Sequence, residues 1–432
     1  MTATGTAILM TLIPVILFGS RRWALLGFAV GTLYLTQGEP IEVFGFHLYA
    51  VRFLELFGIL RVIVRHEFNF SNLNSIDRPF LCLYIYTTIV FALRSTEGLS
   101  YQMGSAVDAT LSYFVFRGLI PGINDLKWFL KRFAVLLIPY FILVLIERLT
   151  IQNPFALLGA IATVSDFRDG IPRCTGSFRH AILLGSFGAA FLPIYIGLFF
   201  EKGSKNIALI GVGTCLGIVF LSNSGGPVSS AAIALLGWGC WVFKRNLRFV
   251  RLGIIYIFVS LAMFMKAPIW ALPFKISEIT GGGGWHRYYL IDVAIKAFNE
   301  WWIAGMSITK TREWFPYYLN TGGADITNEF IAFGLDAGIM AIIIFVYLLV
   351  KGFKVIGKGL EINEISINPD SGRFIIWGLG VMIVVHVSNW FGVNYFDQLK
   401  YFWYMHIAII AMLADSAKIV KSKPLYPLTQ IT

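Results

Sequence analysis

The chain has little charge for its length. Only 14% of its 432 residues are Asp, Glu, Lys or Arg, whereas soluble domains carry about a quarter. Hydrophobic residues make up 57% of the chain, and the mean hydropathy is +0.72. This balance excludes an ordinary soluble domain and predicts an integral membrane protein surrounded by membrane lipids.

Cysteine is also scarce, with four scattered residues and no Cys-X-X-Cys pair. This spacing indicates neither a disulfide framework nor a zinc site, and we expect no metal and no cofactor. Walker, HExxH and GxSxG motifs are missing, which argues against an ATPase, a zinc peptidase and a hydrolase of the GxSxG type. The first apolar run lacks a basic n-region and is followed by Arg21 and Arg22, so we do not expect a cleaved signal peptide.

The apolar residues fall into runs that are long enough to cross a bilayer as helices. A hydrocarbon core of about 30 Å requires roughly 17 to 25 residues per helix. The sequence therefore predicts an all-α integral membrane protein, a polytopic bundle of 12–13 transmembrane helices that forms one domain over residues 1–432. The clear runs are 78–93, 129–146, 181–200, 206–222, 226–243, 251–266, 330–350, 374–390 and 400–414, and the shorter or interrupted ones are 4–19, 23–36, 46–64 and 104–120.

Most basic residues lie in short connections between these runs, such as KRNLRFVR at 244–251. This positive-inside pattern accounts for the net charge of +11 without a nucleic-acid partner. With these connections in the cytoplasm, four other segments share the opposite face: 148–180, 223–225, 267–329 and 391–399.

Arginines are frequent on that opposite face, although the positive-inside bias predicts that they should be rare. They are Arg94, Arg148, Arg168, Arg173, Arg179, Arg287 and Arg312. An anionic ligand bound at this face would explain why they persist. The alternative is local pairing with carboxylates, namely Glu147, Asp166, Asp169 and Glu278.

Two ionisable residues, Arg52 and Glu55, lie inside an apolar run and share one helical face. Ionisable groups within spans usually face the bundle interior or water. Pairing with each other and lining a cavity are the two alternatives.

The large loop, 267–329, is the only connection long enough to form an extramembrane element. Apolar residues recur at helical spacing from 286 to 303, which predicts an amphipathic helix at the interface, anchored by Trp285, Trp301 and Trp302. The preceding glycines, Gly281 to Gly284, are typical of a flexible hinge and match no phosphate-binding fingerprint.

Four motifs in this order resemble the O-antigen ligase and O-antigen (polysaccharide) polymerase superfamily of bacterial membrane glycosyltransferases. They are RCTGSFRHAILLG, LSNSGGPVSSAAIAL, WHRYYLIDVAIKAFNEWWIAG and ITNEFIAFGLDAGIMAI, within about 170–350. The resemblance implies a polymerase-like, metal-independent, inverting enzyme of the bacterial inner membrane with a periplasmic active face. Its donor would be an undecaprenyl-pyrophosphate-linked glycan and its acceptor another glycan. An O-antigen ligase, a lipid-linked saccharide flippase or transporter, and a non-catalytic assembly subunit stay open, as does binding of a chain-length regulator.

The resemblance also implies roles for individual residues. Arginines of the family hold the donor pyrophosphate, which suits the bidentate geometry of guanidinium groups. A histidine of the family takes the proton from the acceptor hydroxyl. The substrate-binding candidates are Arg173, Arg179, Arg287, Arg94, Arg52 and Asn328. The candidate bases are His286 and His180, with Asp292, Asp325 and Glu329 as carboxylate alternatives.

The match departs from the family at two motifs. Asn328 and Gly338 keep the nine-residue spacing of the ligase motif, but Thr327 replaces the family histidine and Ala341 replaces its second glycine. The turn at 224–226 reads Ser-Gly-Gly, whereas the family often has Ser-Arg-Gly. These departures favour a polymerase or a divergent relative over a ligase.

Overall fold

A computed structural model describes residues 1–43, 46–94, 98–272, 274–275, 284–315, 322–365 and 372–422. The described chain consists mainly of α-helices, with two short antiparallel hairpins and four 3-10 segments. The predicted class, an all-α membrane protein, is confirmed.

The helices follow the apolar runs of the sequence. In chain order they are α1 (Ala3–Phe18), α2 (Arg21–Tyr34), α3 (Ala50–Val64), α4 (Asp77–Arg94), α5 (Leu99–Leu119), α6 (Ile123–Thr150), α7 (Ala181–Phe199), α8 (Lys205–Leu221), α9 (Gly225–Gly239), α10 (Leu247–Phe264), α11 (Gly284–Lys296), α12 (Phe298–Trp301), α13 (Glu329–Ala337), α14 (Ile339–Ile365), α15 (Arg373–Trp390) and α16 (Asp397–Ser422). The hairpins are β1 (Ile41–Val43) with β2 (Phe46–Leu48), and β3 (Asp166–Arg168) with β4 (Ile171–Arg173).

Six of the described helices are long and apolar enough to cross a membrane. They are Ile123–Thr150, Ala181–Phe199, Gly225–Lys244, Leu247–Phe264, Ile339–Ile362 and Arg373–Trp390, and Ala3–Phe18 and Lys205–Leu221 are shorter apolar helices. The larger number of 12–13 spans stays a prediction.

Helix α7 lies at the centre of the bundle, where it packs against α8, α9 and α15. Glycine permits these close approaches. A Cβ at Gly188 would lie 2.7 Å from the carbonyl oxygen of Cys215 on α8, and one at Gly197 would lie 2.6 Å from that of Phe374 on α15. These contacts hold α7 on two sides, and they therefore also fix the position of the loop that ends at the N-terminus of α7.

The large loop has a small apolar core of its own. The predicted amphipathic segment forms α11 and α12, and its buried side chains Leu290, Ala294 and Trp301 pack with residues from the rest of the loop and from α13. Trp285 and Trp302 are exposed, as interfacial anchors would be, but the prediction of Trp301 as a third anchor is wrong, because its ring is buried in this core. Three glycines of the predicted hinge, 281–283, lie outside the described residues.

Candidate functional site

A tight hairpin brings two arginines together. The two residues between β3 and β4, Asp169 and Gly170, have φ values of 53° and 72°, as a type I′ turn requires. The strands pair Asp166 with Arg173 and Arg168 with Ile171. Residues opposite each other share a face of a hairpin, so Arg168 and Arg173 lie on the same face.

This hairpin forms part of a cavity of about 550 Å³, which we call the arginine cavity. The four segments that the sequence placed on one face all contribute to its lining. The lining residues are Arg168, Arg173, His180, Ile182, Ser224, Gly225, Gly226, His286, Arg287, Gly323, Ala324, Asp325, Thr327, Gly392, Val393, Asn394 and Phe396.

None of the three arginines of this cavity is in direct contact with a carboxylate among the described residues, although Asp166 lies opposite Arg173 in the hairpin. Arg173 donates from Nη2 to the Ser224 hydroxyl at 3.1 Å, and Arg287 donates from Nε to the Gly392 carbonyl oxygen at 3.0 Å. Among the described residues, neither these two nor Arg168 makes an ion pair with a carboxylate. Burial lowers the pKa of Arg173 and of Arg287, and the charge of Arg168 lowers both further. Such a group of like charges favours a bound anion.

The described carboxylates that were named above as alternative partners do not form ion pairs with these arginines. Glu147 accepts hydrogen bonds from the amides of Thr175 and Gly176, both at 2.8 Å. Within the described chain, Asp166 and Asp169 form no ion pair with an arginine. Glu278 lies outside the described residues.

The first turn of α9 adds to the positive potential. Its residues Gly225 and Gly226 line the arginine cavity, and its N-cap Ser224 accepts from Arg173. The N-terminus of a helix carries a partial positive charge and unsatisfied amide groups. Anions bind at such ends, phosphates in particular.

His180 caps α7 and faces the same cavity. Its Nδ1 accepts from the Ile182 amide at 3.2 Å, so the neutral ring carries its proton on Nε2. The residue is exposed and lines the cavity. Burial and the nearby Arg173 charge lower the pKa of His180 below its ordinary value of 6.5. At neutral pH this histidine is therefore a neutral hydrogen-bond donor.

The other candidate base, His286, has the complementary arrangement. Its Nε2 lies 2.9 Å from the Asp325 carbonyl oxygen, which can only accept, so the basic lone pair of the neutral ring is on Nδ1. The ring stacks on Phe315 with centroids 4.6 Å apart. Asp325 supplies the one carboxylate among the described lining residues. A proton acceptor and positive charge thus share one cavity.

A second cavity of about 500 Å³, which we call the aromatic cavity, contains two more of the arginines that were assigned to substrate. Arg179 and Arg52 line it together with Gln37, Tyr49, Tyr84, Tyr101, Gln102, Ser105, Asp108, Glu329, Ala332, Phe333, Asp336, Asn394, Tyr395, Phe396, Asp397, Lys400, Trp403 and Tyr404. The suggested pairing of Arg52 with Glu55 is wrong. Arg52 pairs with Asp108 at 2.8 Å, and Glu55 accepts from Ser112 at 2.6 Å.

Two further candidates line neither cavity. Arg94 donates to the carbonyl oxygens of Ala304 and Leu335 at 2.9 and 2.6 Å, which ties α4 to the large loop and to α13. Asn328 is the N-cap of α13, and its side chain accepts from the amides of Phe330 and Ile331. The contacts of both residues stabilise the fold around α13.

The connection between α15 and α16, residues 391–396, forms a wall between the cavities. Asn394 and Phe396 line both of them. Arg287 holds the wall at Gly392, and the Glu329 carboxylate holds it by accepting from the Tyr395 amide at 2.6 Å. Where the wall meets α16, Asp397 accepts from the Arg179 amide at 2.8 Å. Three parts of the chain thus fix this short connection.

Sequence reasoning missed Arg168 as a lining residue and missed the whole aromatic cavity. The Asp169-Gly170 dipeptide is a hairpin signal and would have placed Arg168 on the same face of a hairpin as Arg173. The carboxylates and aromatic residues of the second cavity come from four helices and from loops and carry no common spacing, so no sequence signal was available for them.

No family model matches the chain, and no curated protein is similar to it. Among the described residues, no group of three or more His, Cys, Asp or Glu side chains is placed to hold a metal ion.

Proposed function

We propose that this protein is a polysaccharide polymerase-like glycosyltransferase that takes an undecaprenyl-pyrophosphate-linked saccharide as donor and a glycan as acceptor. One observation carries the proposal. Arg168, Arg173 and Arg287 line one cavity and have no ion-pair partner among the described residues. A diphosphate ester is an anion whose oxygens match guanidinium donors, and its charge increases as it leaves.

The chemistry requires one displacement. The acceptor hydroxyl oxygen attacks the anomeric carbon from the face opposite the diphosphate, the bond from that carbon to the diphosphate oxygen breaks, and the configuration inverts. The three arginines and the amides of Gly225 and Gly226 stabilise the leaving diphosphate. The Nε2–H of His180 donates a further hydrogen bond to it.

The proton of the acceptor hydroxyl needs a base in the same cavity. Asp325 and His286 are the two groups that line this cavity and can accept a proton, the first through its carboxylate and the second through its imidazole ring. His180 is the weaker candidate because its own lone pair on Nδ1 accepts from the Ile182 amide. This assignment accommodates Thr327, which lines the cavity where the family has its histidine.

Arg173 compensates for the other departure from the family. It donates to Ser224, the first residue of the turn that lacks the family arginine. A guanidinium group from the hairpin therefore occupies the neighbourhood of that turn, which supports the same phosphate chemistry.

In this proposal the chain crosses the bacterial inner membrane 12–13 times, and the arginine cavity opens on the periplasmic side. Support comes from the four segments that line this cavity, since all of them belong to the face opposite the basic connections. A lipid-linked donor in the outer leaflet would present its diphosphate at this depth.

The test is glycan formation in the source strain after deletion of the coding sequence. The deletion strain is complemented with the wild-type chain, Arg173→Ala, Arg287→Ala or Lys296→Ala at equal membrane expression. Lys296 is the control because it lies on α11 with Arg287, is exposed and pairs with Asp292 outside the cavity. We expect the two arginine variants to lose long glycan and to accumulate single lipid-linked units in the outer leaflet, and Lys296→Ala to behave like the wild type.

Other outcomes assign other functions. Units trapped in the inner leaflet of the deletion strain would favour a flippase. Transfer of finished glycan to a lipid acceptor, with normal polymer length, would favour a ligase. Normal glycan from both arginine variants would reject the proposed site, and purified protein without turnover on a lipid-linked donor would favour an assembly subunit.

A further inference from the structure

The aromatic cavity differs from the arginine cavity in the chemistry of its lining. Rings from three loop residues and from helices α4, α5, α13 and α16 surround it, including Tyr84, Tyr404 and Trp403 from the buried core and Tyr101 from the exposed rim. Aromatic faces bind the C–H faces of pyranose rings, and their O–H and N–H groups reach hydroxyls. Such a lining is suited to sugar rings.

Polar groups without partners also point to a neutral, hydroxyl-rich ligand. Gln102 is 94% buried, yet in the described chain its side-chain amide makes no hydrogen bond. The Asn394 amide and the Asp336 carboxylate, which are half-buried and line this cavity, also make no hydrogen bond among the described residues. Amides and carboxylates are the groups that pair with adjacent hydroxyls, since each offers two acceptor or donor sites.

The charges of this lining nearly balance. The cations Arg52 and Lys400 both contact Asp108, at 2.8 and 2.9 Å, and Arg179 is the third cation of the described lining. Asp336, Glu329 and Asp397 add further carboxylates. The arginine cavity has three arginines and one carboxylate in its described lining, so a phosphate binds there more favourably than here.

The two cavities are neighbours across the wall of residues 391–396. Asn394 and Phe396 belong to both linings, and the consecutive residues Arg179 and His180 line one cavity each. A ligand in the aromatic cavity therefore needs to pass only this wall to reach the phosphate-binding groups. Reactants held on its two sides would meet there in a fixed orientation.

We infer that the aromatic cavity is the acceptor subsite, which binds the uncharged sugar rings of the glycan through Gln102, Asp336 and the surrounding aromatic rings. The inference rests on the proposed function. The acceptor chain lies in this cavity, and its terminal hydroxyl reaches past Asn394 to the anomeric carbon of the donor. The hydroxyl proton goes to the base in the arginine cavity, and the diphosphate leaves on that side.

The experiment measures equilibrium binding of two probes to purified protein in nanodiscs. One probe is the phosphate-free oligosaccharide released by mild acid from the lipid-linked saccharides of the source membrane, and the other is inorganic pyrophosphate. We expect Gln102→Leu and Asp336→Ala each to weaken oligosaccharide binding about tenfold, since each removes a hydrogen-bonding group of the lining, and to leave pyrophosphate binding unchanged. Arg173→Ala is expected to show the reverse pattern.

For each variant, the probe whose binding should stay unchanged serves as the control for correct folding. Oligosaccharide binding that survives both Gln102→Leu and Asp336→Ala, or that is lost in Arg173→Ala alone, would overturn the subsite even if pyrophosphate binds as expected. Failure of the proposed function has a different result: the wild-type chain would not bind pyrophosphate, or Arg173→Ala would bind it normally.

Discussion

Arg287 donates a 3.0 Å hydrogen bond from Nε to the carbonyl oxygen of Gly392. The first residue belongs to the large loop and the second to the wall between the two cavities. A Cβ at Gly392 would lie 3.1 Å from that Nε atom, so glycine permits the contact. One guanidinium group thus positions the wall and presents charge to the arginine cavity, which couples the geometry of both cavities.

Arg287→Lys tests this double role. The ammonium group of lysine keeps the charge. It cannot both donate to Gly392 and present a planar pair of N–H groups to a phosphate. We expect glycan transfer to fall about 100-fold, nearly as far as in Arg287→Ala, because bidentate geometry is lost. Turnover of a lipid-linked donor by purified protein measures the effect, and near-normal turnover would mean that charge alone suffices.

Gly392→Ala probes the same contact from the other side. The added methyl group forces the Arg287 side chain to shift by a few tenths of an ångström without changing its charge. We expect a smaller loss of turnover, about tenfold, because a catalytic group is misplaced but present. An unchanged rate would show that the wall position is not set by Arg287.

Protonation of His180 provides a test of the local electrostatics. The positive charge of Arg173 disfavours the imidazolium, so Arg173→Ala should raise the pKa of His180 towards its ordinary 6.5. Since the folded chain binds this proton less readily than the unfolded chain, this group lowers stability as the pH falls through 6.5. The rate of diethylpyrocarbonate modification of the His180 peptide, measured against pH, reports the pKa. A midpoint at or above 6.5 in the wild type would contradict the described environment.

Asn328→Ala separates a structural role from a binding role. Asn328 accepts from two amides at the start of α13, and loss of an N-cap costs about 0.5–2 kcal/mol of stability. We expect a lower melting temperature, restoration by Asn328→Asp, and an unchanged KM for the donor in thermal-unfolding and turnover assays. A raised KM at full stability would return Asn328 to the substrate-binding residues.

Arg94→Ala is expected to act in the same way. Its guanidinium stabilises the carbonyl oxygens of Ala304 and Leu335, and hydrogen bonds to charged groups contribute about 1.5–3 kcal/mol each. The melting temperature should fall, while pyrophosphate affinity stays at the wild-type value. Weaker pyrophosphate binding without loss of stability would identify Arg94 as a ligand after all.

Much of the fold could be predicted because hydrophobic length and composition dictate helices in a membrane. The run at 181–200, for example, becomes α7 at Ala181–Phe199. The start of α11 and the break before α12 could not be predicted as well, because packing of Leu290 and Trp301 within the large loop decides them. Tertiary packing overrides periodicity in such short helices.

The site could be predicted in part. A bias in loop charge pointed to Arg173 and Arg287, the family resemblance led to His180, and all three line one cavity. The same bias also selected Arg94, since it cannot distinguish a guanidinium that binds carbonyl oxygens from one that faces a cavity. Arg179 and His180 are adjacent in sequence yet line different cavities, and only the path of the backbone into α7 determines that.

The hairpin turn gives a final test, with a matched control elsewhere in the chain. Gly170 and Gly203 have φ values of 72° and 65°, and a Cβ would meet nothing within 4 Å at either position. Alanine at either site thus introduces the same strain, about 1 kcal/mol. Gly203 lies between α7 and α8, at the end of α7 remote from His180, whereas Gly170 holds β3 against β4 and so sets the spacing of Arg168 and Arg173. We expect both variants to lose similar stability in thermal unfolding, but only Gly170→Ala to weaken pyrophosphate binding. Equal affinity in the two variants would show that the arginines hold their positions without the hairpin, and the cavity would then be organised by Ser224 and the wall alone.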